Sequence, residues 1–500
     1  MVKFFRTLSF LSLMVPLVAQ DFLTYEDFGA VGDGVHDDLP SICAAHEHAN
    51  ANGLPVKSKP DATYHLGSRA LTAIIATDTD WSTSRFTIDD REVENHKASL
   101  FEVRSLLPME TLPIQKLTRD QTQIEWRGEQ DYLVTVYNDK VKRYIRRGLN
   151  QNAGSDQRDS FILKKDGTIT SPIDWDYDRI SKVEARPIDA DTLTISGGVF
   201  TTIANNMKQE VGYNYWYRNI EILRSNTVLD GLTHYVAGET AVGHPYRGFI
   251  SVMNCANIEL RNCFATGHKV YKTIGSAGKP VSMGSYDYNA NSVVNFSMIN
   301  CRMNHILDRT RWGVIGTNFC KNILLEGCEL SRMDAHMGVS GTYTIKDSTL
   351  GYMGLNAIGR GQLTIENSTI HGSSLIGFRE DYGSTWEGDV TIRNTRWLPV
   401  NRGAQALYMF GLRNDGQHDF GYTCYMPRNV TIEDLFIDDS QHEGSLYFFS
   451  DPGSEASSKA PHPFILTQKV QMSGLSVASG SEVEVSPNAE LEERIKIVCD

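Results

Sequence analysis

The six residues Leu363-Thr364-Ile365-Glu366-Asn367-Ser368 are one copy of a pattern that returns along the second half of the chain. Apolar and polar residues alternate in it, and a turn-forming residue and a small residue follow. Alternation of this kind is typical of a half-buried strand. The related strand segments are Asn219-Ile220-Glu221-Ile222, Asn257-Ile258-Glu259-Leu260, Asn322-Ile323-Leu324-Leu325, Tyr343-Thr344-Ile345, Val390-Thr391-Ile392 and Val430-Thr431-Ile432.

Two columns of residues accompany these segments. The turn column is Asn262, Asn300, Gly327, Asp347, Asn367 and Asn394, and the small-residue column is Cys263, Cys301, Cys328, Ser348, Ser368 and Thr395. Asn and Asp suit a turn because they tolerate the left-handed backbone conformation. The small residues are 38, 27, 20, 20 and 27 positions apart. A minimum near 20 with longer excursions predicts a parallel β-helix with loops inserted at one corner, whereas a propeller needs roughly 40 residues in every blade.

A second motif opens the chain after its first apolar stretch: Tyr25-Glu26-Asp27-Phe28-Gly29-Ala30-Val31-Gly32-Asp33-Gly34-Val35-His36-Asp37-Asp38. Its glycines and aspartates suit tight turns. A short helix from about residue 41 to 52 follows, with Gly53 as its stop. This opening and the coil pattern resemble the pectate-lyase-like superfamily. The resemblance implies an all-β, right-handed parallel β-helix with an N-terminal capping helix, and an architectural role for Asp33, Asp37 and Asp38.

Residues 1–19 have the layout of a secretory signal peptide. Lys3 and Arg6 precede an apolar run, from Leu8 to Val18, that is too short to span a membrane. No cysteine directly follows the run, so we expect a secreted or periplasmic protein without a lipid anchor or membrane insertion. The predicted organisation continues with a cap and first coils (20–74), a β-rich insertion or irregular coils (75–215) and further coils (216–500).

Charge and cysteine usage narrow the classes of partner. The formal net charge is −13, which disfavours general binding to nucleic acid. Eight cysteines in 500 residues are too few for a disulfide scaffold, and the lack of a Cys-x-x-Cys pair argues against structural zinc. The cysteine column predicts a ladder of small buried thiols, although export permits oxidation and pairing stays open.

The segment 244–312 is locally basic, with eight Lys and Arg against three Asp and Glu. Histidines and tyrosines interleave with these cations, a combination that suits an anionic polysaccharide. Counting eight residues past the small-residue column predicts that Tyr271, Arg309, His336 and Asn356 stack along the helix axis. The candidate substrate-binding residues are Arg311, Arg247, Lys272, Tyr271, Trp312, Asn356 and Arg360.

β-Elimination at a uronic acid defines the candidate catalytic residues. The reaction needs a neutralised carboxylate, a base for the C5 proton and an acid for the leaving oxygen. His336, Tyr288 and Arg309 are the candidates for these roles. No cofactor is certain, but Asp334 and Asp287 could bind Ca²⁺ through hard oxygen ligands.

The sequence therefore predicts a polysaccharide lyase. The chain resembles exported bacterial lyases, which implies a glycosaminoglycan of the chondroitin or dermatan type first, and pectin or alginate next. Two alternatives stay open. One is a β-helix glycoside hydrolase that uses carboxylates among Asp308, Asp334, Glu380 and Asp381. The other is a tailspike-like or adhesive β-helix that binds glycan without cleaving it.

Overall fold

The chain folds as a right-handed parallel β-helix, as the sequence predicted. The computed structural model describes residues 21–208, 214–311, 314–400, 403–414, 416–453, 462 and 464–499. The predicted signal segment 1–19 and the binding candidate Trp312 lie outside the described residues. In the described part of the chain, no helix is long and apolar enough to cross a membrane.

The N-terminal motif closes the first coil together with helix α1 (Leu39–Asn52). Asp38 accepts hydrogen bonds from the backbone N–H groups of Val31 (2.7 Å) and Gly32 (3.2 Å). Asp37 accepts from Gly67 N at 3.0 Å. These bonds confirm the architectural role that the resemblance implied, because the carboxylates hold turns and connect the cap to the next coil. The helix begins two residues before the predicted start and ends at Gly53, whose φ is 65°.

Short strands make up the walls of the coils. Before the insertion they are β1 (Leu23–Thr24), β2 (Asp33–Asp37), β3 (Val56–Lys57), β4 (Thr63–Leu66), β5 (Ala73–Ile75), β6 (Thr79–Asp80), β7 (Arg85–Asp89) and β8 (Phe101–Val103). The insertion contains β9 (Tyr132–Arg143), β10 (Ser155–Leu163) and β11 (Lys182–Pro187). The next strands are β12 (Leu193–Ser196), β13 (Val199–Ile203), β14 (Ile220–Ile222), β15 (Thr227–Asp230), β16 (Thr233–Ala237), β17 (Ile250–Met253), β18 (Ala256–Arg261), β19 (Phe264–Ala265) and a hairpin of β20 (Tyr271–Ile274) and β21 (Pro280–Met283).

The later coils contain the remaining strands, which include the longest ones. They are β22 (Tyr286–Asn291), β23 (Val294–Ile299), β24 (Arg302–Met303), β25 (Val314–Glu326), β26 (Glu329–Lys346), β27 (Thr349–Ala357), β28 (Gly359–Glu366), β29 (Thr369–Gly372), β30 (Ile376–Phe378), β31 (Trp386–Pro399), β32 (Leu407–Gly411), β33 (Cys424–Tyr425), β34 (Asn429–Ile437), β35 (Leu446–Phe449), β36 (Phe464–Ile465), β37 (Lys469–Val477), β38 (Val483–Glu484) and β39 (Lys496–Cys499). Two 3₁₀ turns (Glu26–Phe28 and Glu380–Tyr382) and helix α2 (Ala489–Arg494) complete the described elements.

The turn column is confirmed in full. Its six members, Asn262, Asn300, Gly327, Asp347, Asn367 and Asn394, all have left-handed backbone with φ between 41° and 64°. Their side chains also bond from coil to coil, since Asn367 donates to Asp347 (3.0 Å) and Asn394 donates to Asn367 (2.9 Å). Asn367 and Asn394 therefore form the turn of their own coil and also a hydrogen bond to the preceding coil.

The interior holds one continuous apolar ladder. Leu325 pairs with Ile345, Ile345 with Ile365, and Ile365 with Ile392 in successive coils, and all four side chains are buried. The cysteines of the small-residue column, Cys263, Cys301 and Cys328, are buried free thiols in the same core, as the thiol-ladder interpretation predicted.

One of the predicted repeats was assigned to the wrong wall. The segment beginning at Asn219 forms β14, which pairs with β17 (Ile220 opposite Ile250). The true counterpart of the Asn257 segment is β15, in which Leu229 lies opposite Leu260. Both strands alternate in the same way, so the pattern alone does not tell one wall of a coil from another.

The insertion is an antiparallel sheet with the order β10-β9-β11. The predicted range 75–215 contains more than this sheet, because coil strands extend to Val103 and resume at Leu193, where β12 pairs with β6. Lys321 of the coils fixes the insertion in place. Its ammonium group lies 2.7 Å from Asp159 and 3.3 Å from Asp174, and all three side chains are largely buried.

The left-handed turn residues can be tested at Asn367. Asn367→Ala is expected to cost about 1–2 kcal/mol of unfolding free energy, because a Cβ-bearing residue without a turn-bonding side chain disfavours φ near 49°. Asn367→Gly, the matched control, avoids this strain. Denaturant midpoints measure the difference, and a Gly variant no more stable than the Ala variant would contradict the assignment.

Candidate active site

Three residues of β26 form the basis of a polar centre on the outside of the coils. Arg332, Asp334 and His336 alternate with the core residues Met333 and Ala335, because successive side chains of a strand point to opposite faces. We call the group that these three make with Arg146, Arg379, Asp381 and Tyr382 the arginine–histidine centre. Arg379, Asp381 and Tyr382 follow β30 at a 3₁₀ turn, and Arg146 comes from the end of the insertion sheet.

Ion pairs connect the three elements of the centre. Arg379 Nη1 lies 3.1 and 3.0 Å from the two oxygens of Asp334, while its Nε and Nη2 donate to Asp381 at 3.0 and 2.9 Å. Arg332 Nη2 lies 2.9 Å from Asp334, and Arg146 Nε lies 2.7 Å from Asp381. Three guanidinium groups thus surround two carboxylates.

Both carboxylates of the centre are ionised at neutral pH. Burial raises the pKa of Asp334, but the guanidinium groups of Arg332 and Arg379 outweigh it and hold that pKa well below its usual range. Burial also raises the pKa of Asp381, but the guanidinium group of Arg379 outweighs burial, and the net effect is a lowered pKa. The centre as a whole keeps an excess of positive charge.

His336 is a neutral imidazole with a fixed orientation. Its Nδ1 lies 3.0 Å from Asn318 Oδ1, so Nδ1–H donates there and Nε2 carries the lone pair. Nε2 lies 3.5 Å from the Tyr382 hydroxyl. Burial, with Arg379 adding to it, lowers the pKa of His336 to about 3, and burial raises the pKa of Tyr382 to about 12. The pair therefore combines an unprotonated base with a protonated phenol.

The structure brings together some of the predicted site residues, but in a different register. Asn356 lies opposite Asp334 instead of His336. In the orientation that satisfies its amide, Asn356 accepts from Arg332 Nε at 3.0 Å. The count of eight residues failed because pairing between β26 and β27 shifts between Leu330 and Arg332.

Tyr271 and Arg309 do not join the predicted axial stack. Tyr271 lies in the β20–β21 hairpin, and Arg309 lies exposed in the loop after β24, with its guanidinium 5.1 Å from the Tyr352 ring. Both positions follow long excursions from the coil, so counting from the small-residue column does not fix their place. Arg309 is not part of the arginine–histidine centre.

Tyr288 is wrong as a catalytic candidate, because its side chain lies in the core. It is 1% exposed and packs in the same cluster as Cys263 and Cys301. Pairing of β22 with β25 is irregular between Tyr286 and Tyr288. The half-buried residue Tyr286 lies close enough to Asp334 for that carboxylate to raise its pKa, after the larger effect of burial.

A second polar cluster contains several of the remaining candidates. Glu239 Oε1 lies 3.2 Å from His268 Nδ1 and accepts from the Tyr271 hydroxyl at 3.1 Å, while Arg311 Nη1 lies 3.4 Å from Glu239 Oε2. Asp287 is fully buried on the other side of His268, 3.8 Å from Nε2. Burial raises the pKa of Asp287 to about 7.

Asp287 and Asp334 do not make a calcium site. Asp287 belongs to the Glu239 cluster, and Asp334 is already paired with two guanidinium groups, which leaves it little charge for a cation. Across the described ranges, no three His, Cys, Asp or Glu side chains are grouped as metal ligands.

The other binding candidates are spread over the surface of the coils. Arg247 lies 4.6 Å from the Tyr217 ring and 3.9 Å from Glu221, and Lys272 is exposed on β20. Arg360 lies beneath the insertion, where Nη2 donates to Asp120 at 2.8 Å. Arg146 and Arg379 were missed by sequence reasoning. Arg379 could have been found two coils beyond Asp334, whereas the irregular stretch around Arg146 gives no comparable signal.

Two solved structures of phage tailspikes share this fold. The tailspike gp61 of Pseudomonas phage phi297 is 11% identical, with a TM-score of 0.55 over 96% of this chain and 84% of that one. The tailspike gp49 of Pseudomonas phage LKA1 is 12% identical, with a TM-score of 0.51 over 95% and 84%. At such low identity these likenesses establish the parallel β-helix fold alone.

One curated relative is similar in sequence over a short segment. It is the capsule KL64-specific depolymerase of Klebsiella phage P510, which is 32% identical over an alignment of 94 residues that covers 17% of this chain and 9% of the phage protein. The match thus spans less than a tenth of that relative's length. No protein-family model matches the chain.

The buried carboxyl of Asp287 predicts a pH dependence of stability. Its pKa is raised from 3.8 to about 7 in the folded protein, so the folded state binds more protons between these values. The contribution of Asp287 to stability therefore falls as pH rises from about 4 to about 7. Asp287→Asn is expected to flatten this part of a melting-temperature profile.

The matched control is Asp178→Asn, since the Asp178 side chain is 89% exposed. An Asp287→Asn profile that parallels the parent protein over this pH window would contradict the assignment.

Proposed function

We propose that the protein acts outside the cell as a polysaccharide-degrading enzyme that cleaves a uronic-acid polymer by β-elimination at the arginine–histidine centre. The observation that carries the proposal is the neutral His336 imidazole, with Nε2 directed to the Tyr382 hydroxyl beside three guanidinium groups. The short match to a phage protein named as a capsule depolymerase supports the class of substrate.

The cations of the centre would neutralise the uronate carboxylate. Arg146 Nε lies 2.7 Å from Asp381, and among the described residues Asp381 is the one carboxylate that forms an ion pair with Arg146. A guanidinium is suited to a carboxylate because it can donate two parallel hydrogen bonds. Neutralising the carboxylate stabilises the negative charge that develops when the C5 proton leaves.

His336 and Tyr382 would complete the elimination. His336 Nε2 takes the C5 proton, the C4–O bond breaks as the C4=C5 bond forms, and the Tyr382 hydroxyl gives its proton to the departing oxygen. Transfer of the proton from His336 to the Tyr382 oxygen, 3.5 Å away, then restores both groups. No oxidant or co-substrate is required.

A hydrolase at the carboxylates proposed from the sequence fits less well. Hydrolysis of this type needs one protonated carboxyl as the acid and one carboxylate. Asp334 and Asp381 both have lowered pKa values. Asp308 lies in a loop, where hydrogen bonds from Thr310 lower its pKa as well. None of these three is held in the protonated form, and Glu380, the fourth candidate, is exposed in the 3₁₀ turn.

The substrate remains the one proposed from sequence resemblance, chondroitin or dermatan sulfate first, and pectin or alginate next. The cationic centre supports an acidic polymer without selecting among them. Export through a signal peptide at 1–19 to the medium or the periplasm is likewise part of the proposal.

The reaction class is tested by incubating the full-length protein with each of these polymers, with and without EDTA. Ultraviolet absorbance of the 4,5-unsaturated uronate product is expected to rise on one polymer. New reducing ends without that absorbance would contradict elimination. If neither the absorbance nor new reducing ends are seen with any of the polymers, the proposed activity is contradicted.

The base is tested with His336→Ala, which should lower kcat by at least about 100-fold because general-base catalysis contributes that much or more. Tyr382→Phe should lower kcat in the same range, whereas Arg146→Gln should mainly raise KM. His48→Ala, at an exposed histidine of α1, is the matched control. Circular dichroism checks the fold, and near-normal turnover by a folded His336→Ala protein would remove His336 from the mechanism.

A further inference from the structure

A cavity of about 280 Å³ lies between the insertion and the coils, beside the arginine–histidine centre. The insertion contributes Tyr144 and Trp175 to its wall, and the coils contribute Phe319, Lys321 and Tyr422. Of the site residues predicted from the sequence, Arg360 is the one that lines this cavity in the described part of the chain.

We propose that this cavity is a saccharide-binding subsite that holds an anionic sugar residue of the polymer, next to the residue that is cleaved. The inference rests on the proposed function, since it assigns the neighbouring part of the same substrate. It also makes the insertion a part of the binding site.

The aromatic lining suits the apolar face of a sugar ring. The Tyr422 ring centroid lies 5.2 Å from that of Tyr144 and 6.2 Å from that of Trp175. The Arg143 guanidinium lies 4.4 Å from the Trp175 ring. Ligand sites commonly combine aromatic surface with a few convergent polar groups, and here an aromatic wall is bordered by a cation that can reach a sugar carboxylate or sulfate.

The charges of the lining favour an anion. Lys321 and Arg360 already balance the carboxylates of Asp159 and Asp174, at 2.7 and 3.5 Å respectively, and Arg119 pairs with Glu387. The remaining cations, Arg143 and Arg158, stack on Trp175 and Phe319 and form no ion pair among the described residues. With Asp176 included, the lining holds five Lys and Arg residues against four Asp and Glu residues, which is a net charge of +1 in a chain of net −13.

The cavity lies next to the proposed catalytic centre. The Tyr144 ring centroid lies 6.3 Å from that of Tyr382, and the Tyr422 hydroxyl donates to the Tyr382 carbonyl. Gly338, two residues after His336, also lines the cavity. A Cβ at Gly338 would collide with the Tyr144 hydroxyl, so the glycine permits the close approach of insertion and coils. A polymer bound at His336 would therefore extend under the insertion.

The test measures binding separately from cleavage. Isothermal titration with hexasaccharides of chondroitin sulfate, galacturonate and alginate is carried out on the full-length His336→Ala protein, which retains the cavity. Adding Trp175→Ala should weaken binding of the recognised hexasaccharide by about tenfold or more, about 1.4 kcal/mol. Adding Trp175→Phe should restore most of the affinity, which separates loss of the ring from loss of the fold.

Tyr235→Ala is the matched control, because Tyr235 is 44% exposed on a wall of the coils and does not line the cavity. Binding that depends on Trp175 supports the subsite even where no polymer is cleaved, so the inference can survive failure of the proposed function. Unchanged affinity in a folded Trp175→Ala protein would overturn the inference, and so would a lack of binding to every hexasaccharide. Either result counts against the subsite even if the parent protein cleaves a polymer.

Discussion

Every coil between residues 262 and 394 turns one corner through a single residue with left-handed backbone, and the order of the whole helix depends on that turn. A strand whose register slips by one residue exchanges its inner and outer faces. The Asn and Asp side chains that bond between coils hold successive corners together. With the corners aligned, Ile345, Ile365 and Ile392 stay inside, and polar residues on the same strands face outward.

The arginine–histidine centre is a product of this alignment. Neighbouring coils are separated by one strand spacing, about 4.8 Å, and β27 lies between β26 and β30. The long side chain of Arg379 spans the intervening coil to reach Asp334. The insertion then adds a third layer through Arg146. Buried ion pairs of this kind give little net stability, since the loss of hydration offsets much of their attraction. Their concentration at one place on the coils is better explained by chemistry than by stability.

The sequence was informative wherever a single residue determines its own local geometry. Turn residues, the N-terminal cap and the apolar ladder were all predicted, because each depends on backbone preference or on alternation. The pairing of residues between neighbouring strands was not predicted. The shift after Leu330 and the irregularity before Tyr288 change which residues meet, and neither leaves a trace in the pattern.

The candidate site was therefore only partly predictable. His336 and Asp334 were named because they belong to a compact coil with an unusually polar strand, whereas Asn356 was named from a count of eight residues that the register did not follow. Arg146 was not found, because it reaches the centre from a separate sheet that is far away in the sequence. Contacts between the insertion and the coils depend on three-dimensional packing, for which a single sequence carries no periodic signal.

The route of the chain into and out of the insertion has an evolutionary consequence. The chain leaves the coils after Val103 and returns at Leu193, where β12 takes its place directly on β6. The helix thus continues as if the intervening residues were absent. Genetic exchange of this one module would give a lineage a new wall for the proposed glycan site, while the inherited scaffold and the strand that carries His336 stayed unchanged.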